Sequence, residues 1–410
     1  MMRRLVILGG GTAGTVVANK LRRRLSLDDW RITVIDRDRD HLYQPGLLFV
    51  PFGGREDLLK RRRRLLRNGI QLLIGEVATV DPERKSVRLL DGDVVSYDYL
   101  VIATGTSSRP EQTPGMLGAE WRRSIHDFYT YDGAFALREA LQGFSGGRLV
   151  VHVVEQPIKC PVAPLEFTFL AEAFFRRREM RDQVELVYVT PLDGAFTKPI
   201  ASRYLGRLLD DRKIVVETDF MVERVDADRK VLVSYDEREV GYDLLVTVPL
   251  NMGADFVGAS GLGDELNYVP VDKATLQSKA HPDIFAVGDA NDLPTSKAGS
   301  VAHFSSDIFV ANFCQYVEGL AMTHRFDGHA NCFVETGDGK ALLIDFNYDT
   351  EPLPGRFGPL SLLRETKANH WGKVAFRWIY WHLLVRGRWL PLPSRMSMSG
   401  KHRPKEEELP

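Results

Sequence analysis

Cysteine is scarce. The 410-residue chain holds three, Cys160, Cys314 and Cys332, too few for a disulfide framework, and a reducing compartment is the expectation. Long apolar runs are also missing. No stretch reaches the roughly 18 uncharged apolar residues that a membrane-crossing helix needs, and a first strand starting at Arg3 is expected to leave no room for a signal peptide. Nor is there an excess charge of one sign. With 54 Lys and Arg against 55 Asp and Glu, the formal net charge is −1, which argues against a dedicated nucleic-acid binder. The local exception is Lys60–Arg67 (KRRRRLLR), read as a solvated helix face in preference to an anionic-lipid contact.

Glycine is abundant at one turn and missing at a second. In RRLVILGGGTAGTVVANKLRRRL an apolar strand, Leu5–Leu8, stops at Gly9-x-Gly11-x-x-Gly14, and helical spacing begins near Val16. Gly9 permits a tight turn, Gly11 lets a pyrophosphate approach the backbone, and Gly14 lets helix and strand pack closely. Thr12 and Ala13 complete the turn, whose free N–H groups favour an anion. A second strand, Ile32–Ile35, ends at Asp36, placed to accept from a ribose hydroxyl. The later sequences Ala103-Thr104-Gly105 and IFAVGD, with Gly288 and Asp289, look like the further motifs of a flavoprotein with two dinucleotide domains. FAD is therefore the expected cofactor, with Lys297 and a helix dipole available to stabilise anionic reduced flavin. Taken alone, Lys297 reads as a surface lysine.

The pattern restarts after residue 110. A helix is expected around Gly133–Leu141, a strand over Arg148–Val154 and another helix over Glu166–Arg178. Where a nicotinamide fingerprint would follow Val154, the chain has EQPIKCPVAP, Glu155–Pro164. Proline cannot donate an N–H, the side chains block close approach, and Glu155 repels pyrophosphate. The next strand ends in Thr190-Pro191, without an acid or arginine for an adenosine ribose. NAD(P)H is not expected as the direct donor on this reading. The strand Tyr242–Pro249 is expected to re-enter the first unit. The expected fold is α/β with two Rossmann-like units, a discontinuous FAD-binding one (1–110 and 241–325) and an inserted, degenerate one (111–240), followed by an α+β region (326–410) whose last ten residues are frayed.

Any one cysteine here is most simply a buried small hydrophobe, and Cys314 falls on a helical pattern. Cys160 departs from that by its place, in the strand-to-helix turn where this architecture brings its ligand, and Lys159 beside it is expected to lower its pKa. Cys332 opens a β-like piece, Cys332–Tyr348. Whether the two meet is left open by the spacing alone.

The set GGGTAG, YQPG (Tyr43–Gly46), PIKCPVAP, YDLLVTVP, IFAVGD, TSKAG and NCF resembles the sulfide:quinone oxidoreductases and the flavoprotein subunit of flavocytochrome c sulfide dehydrogenase, over roughly residues 3 to 400. The resemblance implies a Cys160–Cys332 redox disulfide beside the flavin, Phe333 in a quinone pocket, and Pro45 and Val77 among the FAD contacts. Quinone-reducing members carry a further cysteine where SIHDFY here has His126, so FAD is expected to be held non-covalently. Sulfide or a related sulfur donor would be oxidised to sulfur or polysulfide, with a membrane quinone as acceptor.

Trp371–Pro393 mixes Trp371, Trp378, Trp381 and Trp389 with Lys373, Arg377, Arg386 and Arg388. This suits a helix lying in the headgroup region, hence a peripheral protein of the cytoplasmic membrane; a homo-oligomer contact is compatible with the same helix. Two alternatives stay open: a type II NADH:quinone dehydrogenase-like enzyme, and a flavoprotein that docks a protein partner.

Overall fold

A computed structural model describes residues 2–390 and 393–402. The helices used below are α1 (Thr12–Arg22), α2 (Tyr131–Gly143), α3 (Ala163–Arg177), α4 (Pro199–Asp211), α5 (Asp255–Ala259), α6 (Gly299–Val317) and α7 (Lys367–Ile379). Two five-stranded parallel sheets organise the chain. In the first, strands run in the order Ile284–Ala286, Tyr99–Ile102, Arg3–Leu8, Trp30–Asp36, Ile70–Ile74. The second runs Ile125–His126, Leu244–Val248, Gly147–Val153, Val184–Val189, Val215–Glu217. Both central strands are walled by helices, so they read as continuous apolar runs, with Leu5–Leu8 and Leu149–Val151 buried.

One expectation is corrected here. The strand within Tyr242–Pro249 does not return to the first sheet; Leu244–Val248 pairs with Gly147–Val153 in the second. A buried parallel strand carries the same apolar composition in either sheet, so sequence could not assign it. The chain crosses back at the next step, where Asn251–Met252 pairs antiparallel with Ser107–Ser108.

A mixed C-terminal sheet follows, built on the hairpin Ala330–Gly337 with Lys340–Phe346. Gly337 and Gly339 both take positive φ at its turn, which suits glycine. Alternate residues of the first strand, Ala330, Cys332 and Val334, point into the core. α7 then lies over this sheet and continues as a π-helical turn, Tyr380–Leu384. Among the described residues, no helix is long and apolar enough to cross a membrane. The frayed tail expected at the end falls mostly on residues 403–410, outside the described residues.

Candidate active site

The first sheet brings four sequence motifs to the carboxyl ends of its strands, where open α/β sheets bind ligands. Gly9 has φ +92° and a Cβ there would lie 2.5 Å from the Ala103 carbonyl oxygen; one on Gly14 would lie 1.9 Å from that of Gly9. Among the described residues, space is open around Gly11 and no side chain caps the N-terminus of α1, which leaves its N–H groups available to an anion. Asp36 Oδ2 accepts from Gly10 N (2.6 Å). Thr104 and Gly105 follow the Tyr99–Ile102 strand, and the buried Thr104 hydroxyl has no partner among the described residues. Gly288, at φ +68°, comes so close to α1 that a Cβ would lie 2.8 Å from Ala13 Cβ. Beside it the Asp289 carboxyl is pushed up by burial, with Lys297 and Lys159 opposing. These groups fit a dinucleotide: a glycine cradle for pyrophosphate, Asp36 for a ribose, and an unpaired hydroxyl and acid beyond. Pro45 and Val77 sit on other elements, Pro45 exposed on the 3₁₀ segment Gln44–Phe52 and Val77 half-buried at the start of strand Val77–Asp81.

Lys297 is not a surface lysine. It is 5% exposed, donates to the carbonyls of Asn291 (2.8 Å) and Asp289 (3.1 Å), and its ammonium lies 3.7 Å from the Tyr268 ring centroid. Burial lowers its pKa to about 8 against the pull of Asp289. The basic run is also corrected. Lys60–Arg67 is no helix face; it forms the end of a short strand, Leu59–Arg61, and one 3₁₀ turn, Arg62–Arg64. Arg62 is 4% exposed, bonds the Gly10 carbonyl and pairs with Asp36 at 3.0 Å.

The second sheet builds its turn differently. In the first, Leu8 is followed by α1 at Thr12; in the second, residues 154–162 stand between Val153 and Ala163 of α3. Cys160 sits in this loop at φ +53°, its N–H donating to Lys297 O (2.7 Å). The loop is thereby tied to the segment that leads into α6. Cys332 reaches the same place from the C-terminal sheet. Both thiols face a buried ion pair, Glu166 of α3 with Lys373 of α7. Glu166 also accepts from Glu335 N at 2.7 Å, and Glu335 meets His370 Nδ1 at 3.0 Å. Cys332 is pushed well above the usual thiol range, by burial first and by Cys160 second. Cys160 is pushed up to about 12, by burial first and Glu166 second, with Lys373 opposing. The expected lowering by Lys159 is therefore overturned: its ammonium turns toward the Tyr129 carbonyl (3.5 Å), and burial outweighs it. A thiol of pKa about 12 is thiolate in roughly one molecule in 10⁵ at neutral pH. Lys373 itself loses to burial but gains more from Glu166 and Glu335, and stays charged.

Phe333 lies half-buried under α7, where Gly372 permits the approach; a Cβ there would lie 3.0 Å from the ring. The outer face of α7 exposes Trp371, Val374 and Trp378. Trp381 departs from that face, since it packs inward on His41 and Tyr43. Cys314 is half-buried on α6, and His126 is buried with Nε2 on the Arg123 carbonyl. Sequence reasoning missed Glu166, Glu335, His370, Arg62, His41 and Tyr380. None carries a local signal, because each acquires its role from a residue distant in the chain.

The family described as pyridine nucleotide-disulphide oxidoreductase matches residues 3–152. The mitochondrial sulfide:quinone oxidoreductase of Mus musculus is 27% identical over 394 residues, covering 94% of this chain and 87% of that protein. The chain belongs to the sulfide:quinone oxidoreductase family. As a member it is a flavoprotein oxidoreductase, and the family implies FAD. The type II NADH:quinone oxidoreductase of Haemophilus influenzae is 31% identical over 341 residues, covering 70% of this chain and 73% of that one. The crystal structure of the sulfide:quinone oxidoreductase from Aquifex aeolicus superposes with a TM-score of 0.79 at 20% identity, covering 94% of this chain and 92% of that one. That likeness establishes the fold: two parallel sheets and a C-terminal mixed sheet.

Proposed function

We propose that this family member oxidises sulfide, or a related sulfur donor, at a Cys160–Cys332 pair and delivers the electrons to a membrane quinone. The observation that supports it most is the placing of two sequence-distant thiols against one buried Glu166–Lys373 pair, beside the Asp289–Lys297 turn. In the oxidised pair, hydrosulfide attacks one sulfur. The S–S bond breaks, one cysteine becomes a persulfide, and the other leaves with the bond's electron pair as a thiolate. Lys373 is the cation that stabilises this thiolate, and Glu166 is the group placed to take or return its proton. Asp289, Thr104 and the Gly9–Gly14 turn would hold FAD non-covalently. Bound FAD supplies the two-electron acceptor between sulfur and quinone. Phe333, beneath Gly372, offers the ring a quinone stacks on, and the exposed Trp371, Val374 and Trp378 suit α7 to a peripheral anchor in the lipid headgroups of the cytoplasmic membrane.

Anaerobic mixing tests the donor. Sulfide is expected to bleach the flavin absorbance and a short-chain quinone to restore it, while NADH leaves it unchanged. Bleaching by NADH and not by sulfide would reinstate the type II dehydrogenase reading, which the 31% relative favours. Flavin that neither donor reduces would leave a partner-docking flavoprotein. In the same preparation, Trp371→Ala with Trp378→Ala is expected to weaken sedimentation with anionic vesicles by about tenfold or more; unaltered sedimentation would place the lipid contact elsewhere.

A further inference from the structure

The back of the glycine turn is held by groups the donor chemistry does not use. The Tyr380 oxygen lies 2.8 Å from Thr12 Oγ1 and 2.7 Å from His41 Nε2, and His41 Nδ1 lies 3.1 Å from the Gly10 carbonyl oxygen. One acceptor fixes every direction. A carbonyl oxygen only accepts, so Nδ1 carries the ring proton and Nε2 is left to accept from the Tyr380 hydroxyl. The Tyr380 oxygen then accepts from Thr12. This chain uses a neutral His41, whose pKa burial, and secondarily Arg62, lower to about 4. Tyr380 is 2% and His41 1% exposed, so a lost partner is not simply exchanged for bulk water.

A second hold lies one turn further on. Asn19 Nδ2 of α1 donates to Val385 O (2.7 Å) and Leu65 O (2.9 Å). Gly387 then passes α1 so closely that a Cβ would lie 2.9 Å from Asn19 Cβ. Both ends of α1's inner face are therefore bonded to the segment that continues α7. The first of these bonds ends on Thr12, the opening residue of the helix whose N-terminus faces the open space at Gly11.

We propose that the Tyr380–Val385 turn is a clasp for the flavin. It holds Thr12, and with it the free N–H groups of α1, where the FAD pyrophosphate is received, and FAD leaves only when the turn lifts. Tyr380 is thus a positioning residue that acts through Thr12. By reciprocity, bound FAD holds the turn down. The proposal rests on FAD occupying the Gly9–Gly14 turn.

The test uses full-length protein reconstituted with FAD, read by flavin fluorescence as cofactor is released into excess scavenging apoprotein. Tyr380→Phe is expected to release FAD about tenfold faster than wild type, and Thr12→Val to match it. The double variant should release FAD no faster than Tyr380→Phe alone, since that change already removes the Thr12 bond together with the one to His41, and Thr12→Ser should restore slow release. Trypsin should cut wild type at Arg386 and Arg388 faster without FAD than with it, and Tyr380→Phe should shrink that difference. Wild-type release from Tyr380→Phe, or additive effects in the double variant, would overturn the clasp alone. Wild type that takes up no FAD would overturn the flavin site together with it.

Discussion

Replacing Cys160 by alanine is expected to give a folded, flavin-loaded protein that sulfide no longer reduces, with turnover lower by at least about 10³-fold. The loop that carries Cys160 is fixed by its backbone, through the N–H to Lys297 O and the carbonyl that accepts from Ala163 N and the Tyr129 hydroxyl, so the substitution removes sulfur and leaves the turn. Its φ of +53° is strained for alanine as it is for cysteine, so the two share that cost. With one sulfur gone no disulfide can form, and hydrosulfide has no bond to break. Cys332→Ala should be equally inactive for the same reason. The measurement is stopped-flow bleaching of bound flavin under sulfide, with dithionite as a control that the flavin remains reducible. Undiminished bleaching in Cys160→Ala would remove the disulfide from the chemistry.

Lys373→Met carries the second large effect, on stability as well as rate. Glu166 is 2% exposed, and removing its cation leaves either a buried unpaired carboxylate or a carboxyl that must take a proton. Breaking a buried pair from one side costs about 3–5 kcal/mol, which for a chain of this size lowers the melting temperature by roughly 5 °C. Glu166→Gln should be milder, because Lys373 keeps Glu335 nearby and the Phe333 carbonyl at 3.3 Å. Joining the two changes should recover most of the stability that Lys373→Met loses, since no charge is then stranded. On the rate side, Lys373 opposes the rise in pKa of both thiols. Its loss should slow sulfide-driven bleaching by about tenfold or more and move the pH of best activity upward. Thermal unfolding of the four proteins decides the first point, and a pH series of bleaching rates the second. A Lys373→Met protein that melts like wild type would mean that Glu166 is already neutral.

How far the sequence could be read follows from what each residue depends on. Gly9, Gly11, Gly14 and Asp36 were legible because their roles lie in backbone geometry within one strand-turn-helix unit. Cys160 stood out by replacing glycine at the matching turn of the second sheet. Cys332 could be suspected only through a resemblance, since nothing in its spacing ties it to residue 160. Arg62 was hidden inside a basic run, where charge density suggests solvent, and its burial depends on Gly10 and Asp36 reaching it from the first strand and its neighbour. Glu166 and Lys373 are legible only as a pair, and the pair exists once α3 and α7 both pack against the strand Ala330–Gly337. The strand Leu244–Val248 was recognised as a strand and placed in the wrong sheet, because apolar composition reports burial and carries no address.

The late start of α3 bears on attempts to redesign the donor. In the first sheet the helix opens within a few residues of its strand; in the second, residues 154–162 separate the two. Writing glycines back into Glu155–Val162 would give a permissive backbone while the helix end stayed out of reach of a nicotinamide dinucleotide. An engineered pyridine-nucleotide variant needs that loop shortened as well as its residues changed, and shortening it takes the sulfur away.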